Sequence, residues 1–418
     1  MKKKVIVIGG GASGLMAAIA AATEGAEVTI LEHMDRVGKK LLSTGNGRCN
    51  MTNLAVKAEF YRCGRKSFPM RILDKYSVWD TLTFFDELGI VTKSKNGYIY
   101  PNSEQASAVL NALRLEAGRL NITTVCNCHV TAIEPQKKKL LIIREEGALE
   151  CDAAILACGS QAAPATGSDG SGYEIAGKLG HRIIKPLPAL VQLRCEGKYF
   201  KALAGIRCEA KVSLLVDETC CAADTGELQL TDYGISGIPT FQVSRFAAVG
   251  LDEGKRVTAK IDFLPSKNME ESIKFINHRV RQFAYRNCED LFCGVFNQKL
   301  SAVLLKQAGI LPGEPVGNLK KGQIDTLRKL IKSFETKVVG TNSYAQAQVC
   351  CGGIDTGEIR PATLESKLVP GLYFAGEIID VDGICGGYNL QWAWSTGMIA
   401  GRCAGKGNDS NQSGKDAG

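Results

Sequence analysis

The order of apolar and polar residues at the start of the chain predicts a strand, a helix and a second strand. The β-branched run at Lys4–Ile8 is typical of a buried parallel strand and leads directly into glycines. A segment rich in small residues, including Ala17 and Ala21, then predicts a helix that approaches its neighbours closely. The second strand is predicted at Glu27–Leu31 and ends at an acidic residue, Glu32. Together these elements indicate the β-α-β unit of a parallel sheet.

Strand-like and helix-like segments continue to alternate as far as residue 186. Further strands are predicted at Cys126–Ile133, Leu140–Arg144 and Ala153–Ala157. The last of these is followed by a second glycine turn, at Gly159, which could bring backbone close to a ligand. The pattern therefore assigns residues 1–186 to one α/β domain.

A change of pattern from residue 187 onward predicts a different kind of domain. Residues 187–265 contain the alternating segments of antiparallel strands, at Ala210–Val216, Gly226–Thr231 and Arg256–Ile261. Over residues 266–335 the period becomes helical, since Ile273, Ile276 and Val280 fall on one helix face.

The β-rich pattern returns over residues 336–349, and the glycine-rich style of the first domain resumes over residues 350–406. The predicted architecture is a three-layer α/β domain of Rossmann type with a parallel sheet. It is interrupted by a β-rich insert that carries a helical subdomain. Residues 407–418 are polar and glycine-rich, and we predict that they are disordered.

Composition narrows the class of protein. The chain has 418 residues, enough for two or three domains, and no apolar segment long enough to span a membrane. Its 16 cysteines lack a secretory context, so reduced thiols and a cytoplasmic location are predicted. The net charge of +8 includes no long basic block, which argues against a nucleic-acid partner. No metal site is predicted, and the oligomeric state stays open.

The first glycine turn has the spacing of a dinucleotide-binding motif. Gly9 allows the tight turn, Gly11 lets the backbone approach a pyrophosphate, and Gly14 lets the helix pack closely on the strand. Glu32 lies about twenty residues further on, where a carboxylate accepts hydrogen bonds from an adenosine ribose. The strand-helix-strand context distinguishes this motif from a chance match and from a signal peptide.

The helix that follows this turn would direct the N–H groups of Ala12 and Ser13 at the phosphates, together with the positive end of its dipole. A second motif, Gly371–Glu377, is typical of a returning strand that holds the far end of a flavin. The two motifs together predict a flavoprotein that binds FAD.

Longer motifs resemble those of a known family. The segment Lys39–Asn53 is similar to the signature GKKLLxTGxGRCNxTN, and further matches lie at Thr231–Gly237, Cys351–Ile354 and Gly371–Trp394. On these residues the chain is identified as a member of the HI0933-like family of FAD-dependent oxidoreductases, and the resemblance covers nearly the whole chain. This family includes the BaiN-type flavin-dependent reductases of 3-oxo bile acids, and also members labelled aminoacetone-oxidase-like.

The chain departs from the family pattern at three cysteines. Cys385 stands where threonine is common, and Cys350 with Cys351 stands where Thr-Ala is common. The resemblance implies that these positions lie near the flavin. The thiols either fill space there or alter the polarity around the ring.

The resemblance also implies which residues of the signature contact FAD. Gly45, Asn46 and Gly47 allow the backbone to pass closely along the cofactor, with Asn50 beside them. Arg48 is expected to form charge-assisted hydrogen bonds to phosphate or to substrate.

Other segments are expected to add contacts to the adenosine half. Lys39 and Lys40 either lie over the adenosine or pyrophosphate or form a plain surface pair. Val130 lies where related folds hold adenine through backbone groups. Ala157 and Gly159 belong to the second glycine turn.

The C-terminal motif is expected to hold the ribityl chain and the flavin ring. Gly376 is followed by Glu377, whose carboxylate would accept hydrogen bonds from ribityl hydroxyls, as in similar flavoproteins. Gly387, Asn389 and Leu390 lie at the predicted start of the last helix. The N–H groups there would face the N1/O2 edge of the flavin, where negative charge develops on reduction.

The chemistry implied by the resemblance is reduction of an enone by flavin hydride. This reaction needs hydrogen-bond donors at the enolate oxygen and an acid that protonates carbon. Candidate donors are Tyr233, Tyr388 and Arg48, with Asp232 as a proton relay.

The expected substrate is a 3-oxo bile acid or related steroid, with NAD(P)H as reductant. The insert is expected to cover the flavin and to form most of the substrate pocket, and Arg194, Arg207 and Arg245 are candidates for a basic rim. Gly167–Gly172 lacks the strand and helix context of a second dinucleotide site. NAD(P)H would therefore dock over the flavin without a domain of its own.

Other classes of flavoprotein stay open at this point. Cys288 and Cys293 have the CxxxxC spacing used by some flavin disulfide reductases. The remaining alternatives are an amine oxidase of the aminoacetone type and a flavoprotein that is non-catalytic or modifies RNA.

Overall fold

The computed structural model describes residues 2–406. Contacts within the chain divide these residues into two units, one formed by residues 2–186 with 349–406 and the other by residues 187–348. Each unit has its own apolar core. The tail predicted at residues 407–418 lies outside the described residues. None of the described helices is both long and apolar enough to cross a membrane.

The α-helices of the described residues are α1 (Ala12–Thr23), α2 (Lys39–Ser43), α3 (Phe68–Leu73), α4 (Val78–Glu87), α5 (Ala106–Arg119), α6 (Ser171–Lys178), α7 (Phe200–Leu203), α8 (Ile238–Asp252), α9 (Met269–Gln282), α10 (Gln298–Gln307), α11 (Lys321–Lys332) and α12 (Tyr388–Gly405). The strands are β1 (Lys4–Ile8), β2 (Glu27–Leu31), β3 (Thr52–Asn53), β4 (Tyr61–Arg62), β5 (Thr92–Lys95), β6 (Tyr98–Pro101), β7 (Thr123–Val125), β8 (Val130–Pro135), β9 (Leu140–Arg144), β10 (Gly147–Cys151), β11 (Ala153–Leu156), β12 (Ile183–Ala189), β13 (Leu193–Cys195), β14 (Arg207–Val216), β15 (Thr219–Thr231), β16 (Gly234–Gly237), β17 (Val257–Asp262), β18 (Phe334–Thr341), β19 (Val349–Ile354), β20 (Leu372–Phe374) and β21 (Asp382–Gly383).

The first unit is built on a parallel five-stranded sheet with the order β20-β11-β1-β2-β7. Strand β1 lies at its centre, where Val5 pairs with Ala153 of β11 on one side and with Val28 of β2 on the other. All four residues of β11 are buried, as expected for a parallel strand that is covered on both faces. The predicted Rossmann-type α/β architecture is confirmed.

Helix α1 packs against α12, the last helix of the chain, at unusually short range. Three glycines of α12, spaced one turn apart, face α1 at this contact. A Cβ atom at Gly397, Gly401 or Gly405 would lie 2.5, 2.2 or 2.7 Å from a backbone oxygen of α1. Ala17 and Ala21 stand opposite the last two glycines. The small residues of α1 therefore also serve a helix-helix contact, which the sequence pattern did not reveal.

The second unit contains a closed barrel with the strand order β13-β16-β15-β14-β17-β18. Its neighbouring strands are antiparallel, and β14 and β15 form a long hairpin. Helix α8 contacts all six strands and buries the face that contains Val243 and Ala247. Residues of α9, α10 and α11 contribute to the same apolar core. The predicted β-rich insert with a helical part is confirmed.

The single strand predicted at Cys126–Ile133 is wrong, because β7 ends at Val125 and β8 begins at Val130. Between the two strands Asn127 adopts a left-handed conformation, with φ of 53°. The N–H of Asn127 donates to the carbonyl of Met34 (2.9 Å). This turn docks on the end of β2 and interrupts the extended backbone.

The segment Gly167–Gly172 also differs from expectation. Helix α6 begins within it, at Ser171, with Gly170 in the left-handed region at its N-cap. The residues before it form a 3₁₀ turn at Pro164–Thr166 instead of a strand. The expectation that no helix follows these glycines was therefore wrong. The strand that a dinucleotide-binding motif needs just before its glycines is absent from this described segment.

Candidate cofactor-binding site and catalytic residues

Two glycines of the turn between β1 and α1 lie too close to backbone atoms to be replaced by a residue with a side chain. Gly9 has φ of 103°, and a Cβ atom there would lie 2.5 Å from the carbonyl oxygen of Ala157. A Cβ atom at Gly14 would lie 1.9 Å from the carbonyl oxygen of Gly9. At Gly11, in contrast, a Cβ atom would meet none of the described atoms within 4 Å. The turn therefore leaves an open cradle at the position predicted for a pyrophosphate, so the residues present fit an FAD.

Helix α1 begins at this cradle, with Gly11 as its N-cap and no side-chain cap among the described residues. The N–H groups of its first turn, including those of Ala12 and Ser13, are thus available to an anion. The Ser13 hydroxyl donates to the carbonyl of Ala375 (3.4 Å). The N–H of Gly376 donates to Thr396 Oγ1 (2.8 Å). The two motifs from opposite ends of the sequence meet here.

Glu32 is buried at the end of β2 with both carboxylate oxygens in fixed positions. Its Oε2 accepts from the N–H of Gly10 (2.7 Å) and its Oε1 from the N–H of Met34 (2.8 Å). Each carboxylate oxygen can accept a second hydrogen bond. The carboxylate is therefore held beside the cradle, ready for the hydroxyls of an adenosine ribose.

The two adjacent lysines have different partners. Lys40 Nζ lies 2.7 Å from Glu377 Oε2 in a mostly buried pair. Lys39 Nζ lies 2.5 Å from Oδ1 of Asp35, whose side chain is exposed. Lys40 therefore contacts the C-terminal motif, whereas Lys39 pairs with an exposed carboxylate outside that motif.

Ser160 is a site residue that the sequence did not single out. Its hydroxyl donates to Glu377 Oε2 (2.9 Å), so the predicted ribityl-binding carboxylate already accepts from a lysine and from a serine. Ser160 follows Gly159, which has φ of 74°. Ala157, at the start of this turn, donates its N–H to the carbonyl of Ile8 (2.8 Å). The second glycine turn thus lies directly beside the first.

The loop at Gly45–Gly47 makes three successive left-handed steps, with φ of 57°, 55° and 82°. Asn46 tolerates this conformation better than most residues with a side chain. Arg48, which follows, has a side chain that is 58% exposed, with Nε 3.8 Å from Glu104 Oε2. The described structure therefore places Arg48 at the surface, in a loose ion pair.

Asn50 and Asn389 brace the start of α12. The side-chain amide of Asn50 is oriented so that both its nitrogen and its oxygen have partners. The nitrogen donates to the carbonyls of Ile99 and Thr52, and the oxygen accepts from the N–H of Gly387 (3.3 Å). The side-chain oxygen of Asn389 accepts from the N–H of Gly383 (2.8 Å), and its side-chain nitrogen donates to the carbonyl of Gly383 (3.0 Å).

Helix α12 begins as predicted, with Gly387 in the left-handed region at its N-cap and Leu390 in its first turn. The side-chain hydrogen bonds of Asn389 fix the loop before this helix. Any contact of Asn389 with a cofactor would therefore come through its backbone.

Val130 is buried at the start of β8, where it pairs with Arg144 of β9. The register of this pair shifts between Val130 and Ala132. Such an irregularity frees backbone groups from the strand ladder, which is compatible with the adenine contact expected for Val130.

The candidate catalytic residues divide between the two units. Arg48 and Tyr388 belong to the first unit, and Asp232 and Tyr233 to the second. Tyr388 is buried, its ring packs edge-on against Tyr61, and its hydroxyl donates to the carbonyl of Ala55 (3.5 Å). Burial raises the pKa of Tyr388 to about 12. Its phenol is therefore a weaker acid than that of a free tyrosine, and its hydroxyl already has a backbone acceptor.

Tyr233 and Asp232 form the turn between β15 and β16, with Asp232 exposed and Tyr233 half-buried. The Tyr233 hydroxyl accepts a hydrogen bond from Asn342 Nδ2 (3.1 Å). The Arg194 guanidinium carbon lies 5.7 Å from the centre of the Tyr233 ring. Tyr233 is therefore the candidate with the more polar surroundings.

The three arginines proposed as a rim belong to the second unit but have separate neighbours. Arg194 lies over Tyr233, Arg207 pairs with Glu227 at 2.9 Å, and Arg245 lies over Phe246 at 6.0 Å. Only Arg194 adjoins a candidate catalytic residue in these contacts.

The departures from the family pattern are buried or half-buried cysteines. Cys350 and Cys351 are buried in β19, and Cys385 is half-buried. Burial raises the pKa of Cys350 to about 11, so its thiol stays protonated at neutral pH. A neutral buried thiol of this kind behaves as a small apolar group.

Comparison with known proteins extends these observations. A family described as HI0933-like protein Rossmann domain matches residues 3–403. The 3-dehydro-bile acid delta(4,6)-reductase of Clostridium scindens is 45% identical over 96% of this chain and 98% of its own. The ribosomal RNA dihydrouridine synthase of Haemophilus influenzae is 31% identical over 94% of this chain and 96% of its own.

Among solved structures, the 3-ketosteroid-delta4-(5alpha)-dehydrogenase of Rhodococcus jostii RHA1 aligns with a TM-score of 0.48 and 13% identity, covering 97% of each chain. The family match spans almost every described residue, including both glycine turns and the C-terminal motif. The chain belongs to the HI0933-like family.

Proposed function

We propose that this protein is an FAD-dependent oxidoreductase that reduces a carbon–carbon double bond conjugated to a ketone. Its substrate class is the 3-oxo bile acids or related steroids, and NAD(P)H is the reductant. The observation that carries the proposal is the 45% identity, over 96% of this chain, to a 3-dehydro-bile acid delta(4,6)-reductase.

The cofactor assignment rests on the geometry of the first unit. The open cradle at Gly11 suits a pyrophosphate, and Glu32 suits an adenosine ribose, where its charge would repel a 2′-phosphate. Lys40 and Ser160 hold Glu377, the last residue of the C-terminal motif, in place. The bound flavin would supply or accept a hydride at its N5 atom. The chain itself binds the cofactor, orients it and excludes water.

The chemistry of the substrate places one demand on the protein. Hydride addition to the β-carbon of an enone moves negative charge onto the carbonyl oxygen, so a hydrogen-bond donor must face that oxygen. Tyr233 and Asp232 are the candidates in the second unit, and Tyr233 has the hydroxyl suited to donation. Tyr388, with its raised pKa and packed ring, is the weaker candidate.

The disulfide reductase alternative loses support from the burial of one of its two cysteines. Cys288 is buried and Cys293 is exposed. Burial raises the pKa of Cys288 to about 11, whereas a dithiol enzyme needs a thiolate near neutral pH.

The test is anaerobic stopped-flow spectroscopy of the FAD-loaded protein. NADH or NADPH should bleach the flavin, and a 3-oxo-4,6-dienoyl bile acid should then restore its colour. Mass spectrometry should show a gain of two or four hydrogens in the product. Parallel arms with aminoacetone, a disulfide and a uridine-containing RNA address the other classes. Reoxidation by one of these arms alone, with no turnover of any steroid enone, would overturn the proposal.

A further inference from the structure

Two adjacent cysteines lie near the turn of the β14–β15 hairpin, where the pairing of the two strands is irregular. Ala222 pairs with Leu214, but Cys220 pairs with Leu215, so Cys221 is an extra residue on β15. Such a β-bulge sets two successive residues of one strand opposite a single residue of its partner. The usual alternation of side chains between the two faces of the strand is therefore interrupted at this pair.

The register shows on which face the two thiols lie. Leu214 is buried in the core of the second unit, and its partner Ala222 packs against the same core. Leu215 follows Leu214, so it belongs to the outer face, and its partner Cys220 belongs there too. Cys221 is exposed, whereas Ala222 is half-buried, so Cys221 also lies on the outer face. The bulge thus places two exposed thiols side by side.

The present contacts of the two thiols are weak. Cys220 Sγ lies 3.8 Å from the carbonyl oxygen of Ala222, and Cys221 Sγ lies 3.4 Å from that of Thr219. A thiol is a weak hydrogen-bond donor, so a stronger ligand can displace these contacts. The ammonium of Lys255 interacts electrostatically with Cys221 and also pairs with Glu253 at 2.6 Å. A positive charge therefore stands near the pair.

The number of ligands narrows the kind of metal ion that this pair can bind. Thiolates are soft ligands that select Cu(I), Zn(II) and iron–sulfur clusters. Zinc takes three or four protein ligands, and the clusters take four cysteines. Among the described residues no group of three or more His, Cys, Asp and Glu side chains could hold a metal ion. Two thiols alone therefore suit Cu(I), which accepts two ligands.

We propose that Cys220 and Cys221 form a Cu(I)-binding site on the outer face of the second unit. Two S–Cu bonds form as the two thiol protons leave to solvent, and neither sulfur nor copper changes its oxidation state. The complex of Cu(I) with two thiolates carries one negative charge, which the nearby Lys255 partly offsets. The site uses none of the residues assigned to FAD or to the enone, so it does not depend on the proposed function.

The test is an anaerobic titration of the reduced, FAD-loaded protein with Cu(I), in competition with the coloured chelator bicinchoninate. Wild type should withdraw one Cu(I) per chain from the chelator. Cys220→Ser and Cys221→Ser should each weaken binding at least about 100-fold, because loss of a direct ligand costs more than loss of an outer partner. Cys293→Ser is the matched control at another exposed cysteine of the same unit and should bind like wild type.

A relocated thiol tests whether the bulge itself matters. Cys221→Ala combined with Thr225→Cys keeps two exposed cysteines on the outer face of β15. Thr225 pairs with Lys211, four residues from Leu215, so the second thiol moves about 13 Å away along the strand. This variant should bind Cu(I) no more tightly than Cys221→Ser. All variants should retain FAD and melt within a few degrees of wild type, because the substituted side chains are exposed.

Each outcome of these titrations decides the proposal. A wild type that takes no Cu(I) from bicinchoninate overturns it, and so does binding that survives the loss of either thiol or the relocation of one. A copper-dependent dimer in size-exclusion chromatography would show that the thiols of two chains share the ion, which also overturns a site within one chain. A protein that binds Cu(I) as expected but reduces no steroid enone would support this site and overturn the proposed function alone.

Discussion

The cofactor cradle of the first unit and the polar cluster of the second unit are built in opposite ways. The cradle depends on glycines, because at Gly9 and Gly14 a Cβ atom would come within 2.5 and 1.9 Å of a carbonyl oxygen. The cluster depends on side chains, with Gln192, Tyr233 and Asn342 linked by hydrogen bonds. The first design is fixed by steric exclusion and the second by polar contacts between distant residues. Mutations in the two regions should therefore affect the protein in different ways.

The largest effect is expected at Gly14. Gly14→Ala places a methyl group against the carbonyl of Gly9, so the turn must shift, and we expect a loss of stability of about 3 kcal/mol with loss of FAD. Gly11→Ala is the matched control, because a Cβ atom there meets no described atom within 4 Å. It should fold normally yet bind FAD more weakly. Thermal melting and flavin fluorescence would check both, and a stable, yellow Gly14→Ala protein would contradict the steric argument.

The helix pair α1 and α12 extends the same argument away from the cradle. Gly401→Ala would place a Cβ atom 2.2 Å from the carbonyl oxygen of Ala17, and should destabilise the protein by about 2 kcal/mol. Gly118→Ala, near the end of α5, meets no described atom and should instead stabilise the protein by about 0.5 kcal/mol. Denaturant unfolding of the two variants should give opposite signs. Equal effects would show that helix propensity, and not close packing, governs these positions.

A smaller effect is expected at the polar contact between Lys40 of α2 and the C-terminal motif. Lys40→Met removes the partner of Glu377 in a mostly buried pair, and FAD affinity should fall roughly tenfold, since hydrogen bonds to charged groups contribute about 1.5 kcal/mol. Lys39→Met should change affinity less than twofold, because its partner, Asp35, is an exposed carboxylate outside the C-terminal motif. Titration of the apoprotein with FAD would measure both. Similar losses in the two variants would mean that net charge alone matters.

The turn between β1 and α1 could be predicted from the sequence because Gly9 and Gly14 each answer a local steric need. Spacing alone identified Gly9, Gly11, Gly14 and the strands around them, and the family resemblance added the C-terminal motif. Ser160 and Asn342 escaped prediction for a different reason. A serine or an asparagine carries no local pattern, and its role appears only when strands far apart in sequence are paired.

The error at Cys126–Ile133 has the same origin. The turn at Asn127 exists because its N–H reaches the carbonyl of Met34 at the end of β2, and the apolar pattern at Cys126–Ile133 does not encode that contact. Arg48 lies in a strongly marked motif, yet its side chain is mostly exposed beside Glu104. A motif therefore locates a loop more reliably than it locates the side chains on it.

A pH-dependent effect is expected at His181, which lies outside both regions. His181 Nδ1 contacts Glu358 Oε2 (3.1 Å) and Nε2 contacts Ser366 Oγ (2.9 Å). The Ser366 oxygen already accepts from the N–H groups of Leu368 and Val369, so its hydrogen goes to Nε2. Protonation of the ring would break that bond.

Burial lowers the pKa of His181 below its usual 6.5, although Glu358 opposes this shift. The unfolded chain then binds the proton more readily than the folded protein does. The contribution of His181 to stability is thus complete above pH 6.5 and is lost as the pH falls through the lowered folded-state pKa. Melting temperatures from pH 7.5 down to pH 5 should decline less in His181→Asn than in wild type. Parallel curves would contradict this prediction.

The smallest effect on turnover is expected at Cys288 and Cys293, the dithiol alternative of the second unit. Burial raises the pKa of the Cys288 thiol, which therefore stays protonated, and Cys288 belongs to the apolar core of the second unit. Cys288→Ser should lower stability by about 1 kcal/mol, because a hydroxyl replaces a buried thiol, and should leave flavin reduction and enone turnover within twofold of wild type. Cys293→Ser, at an exposed position, should change neither quantity and serves as the control. Loss of turnover in both variants, with FAD still bound, would move the redox chemistry of this protein from the flavin alone to a flavin and dithiol pair.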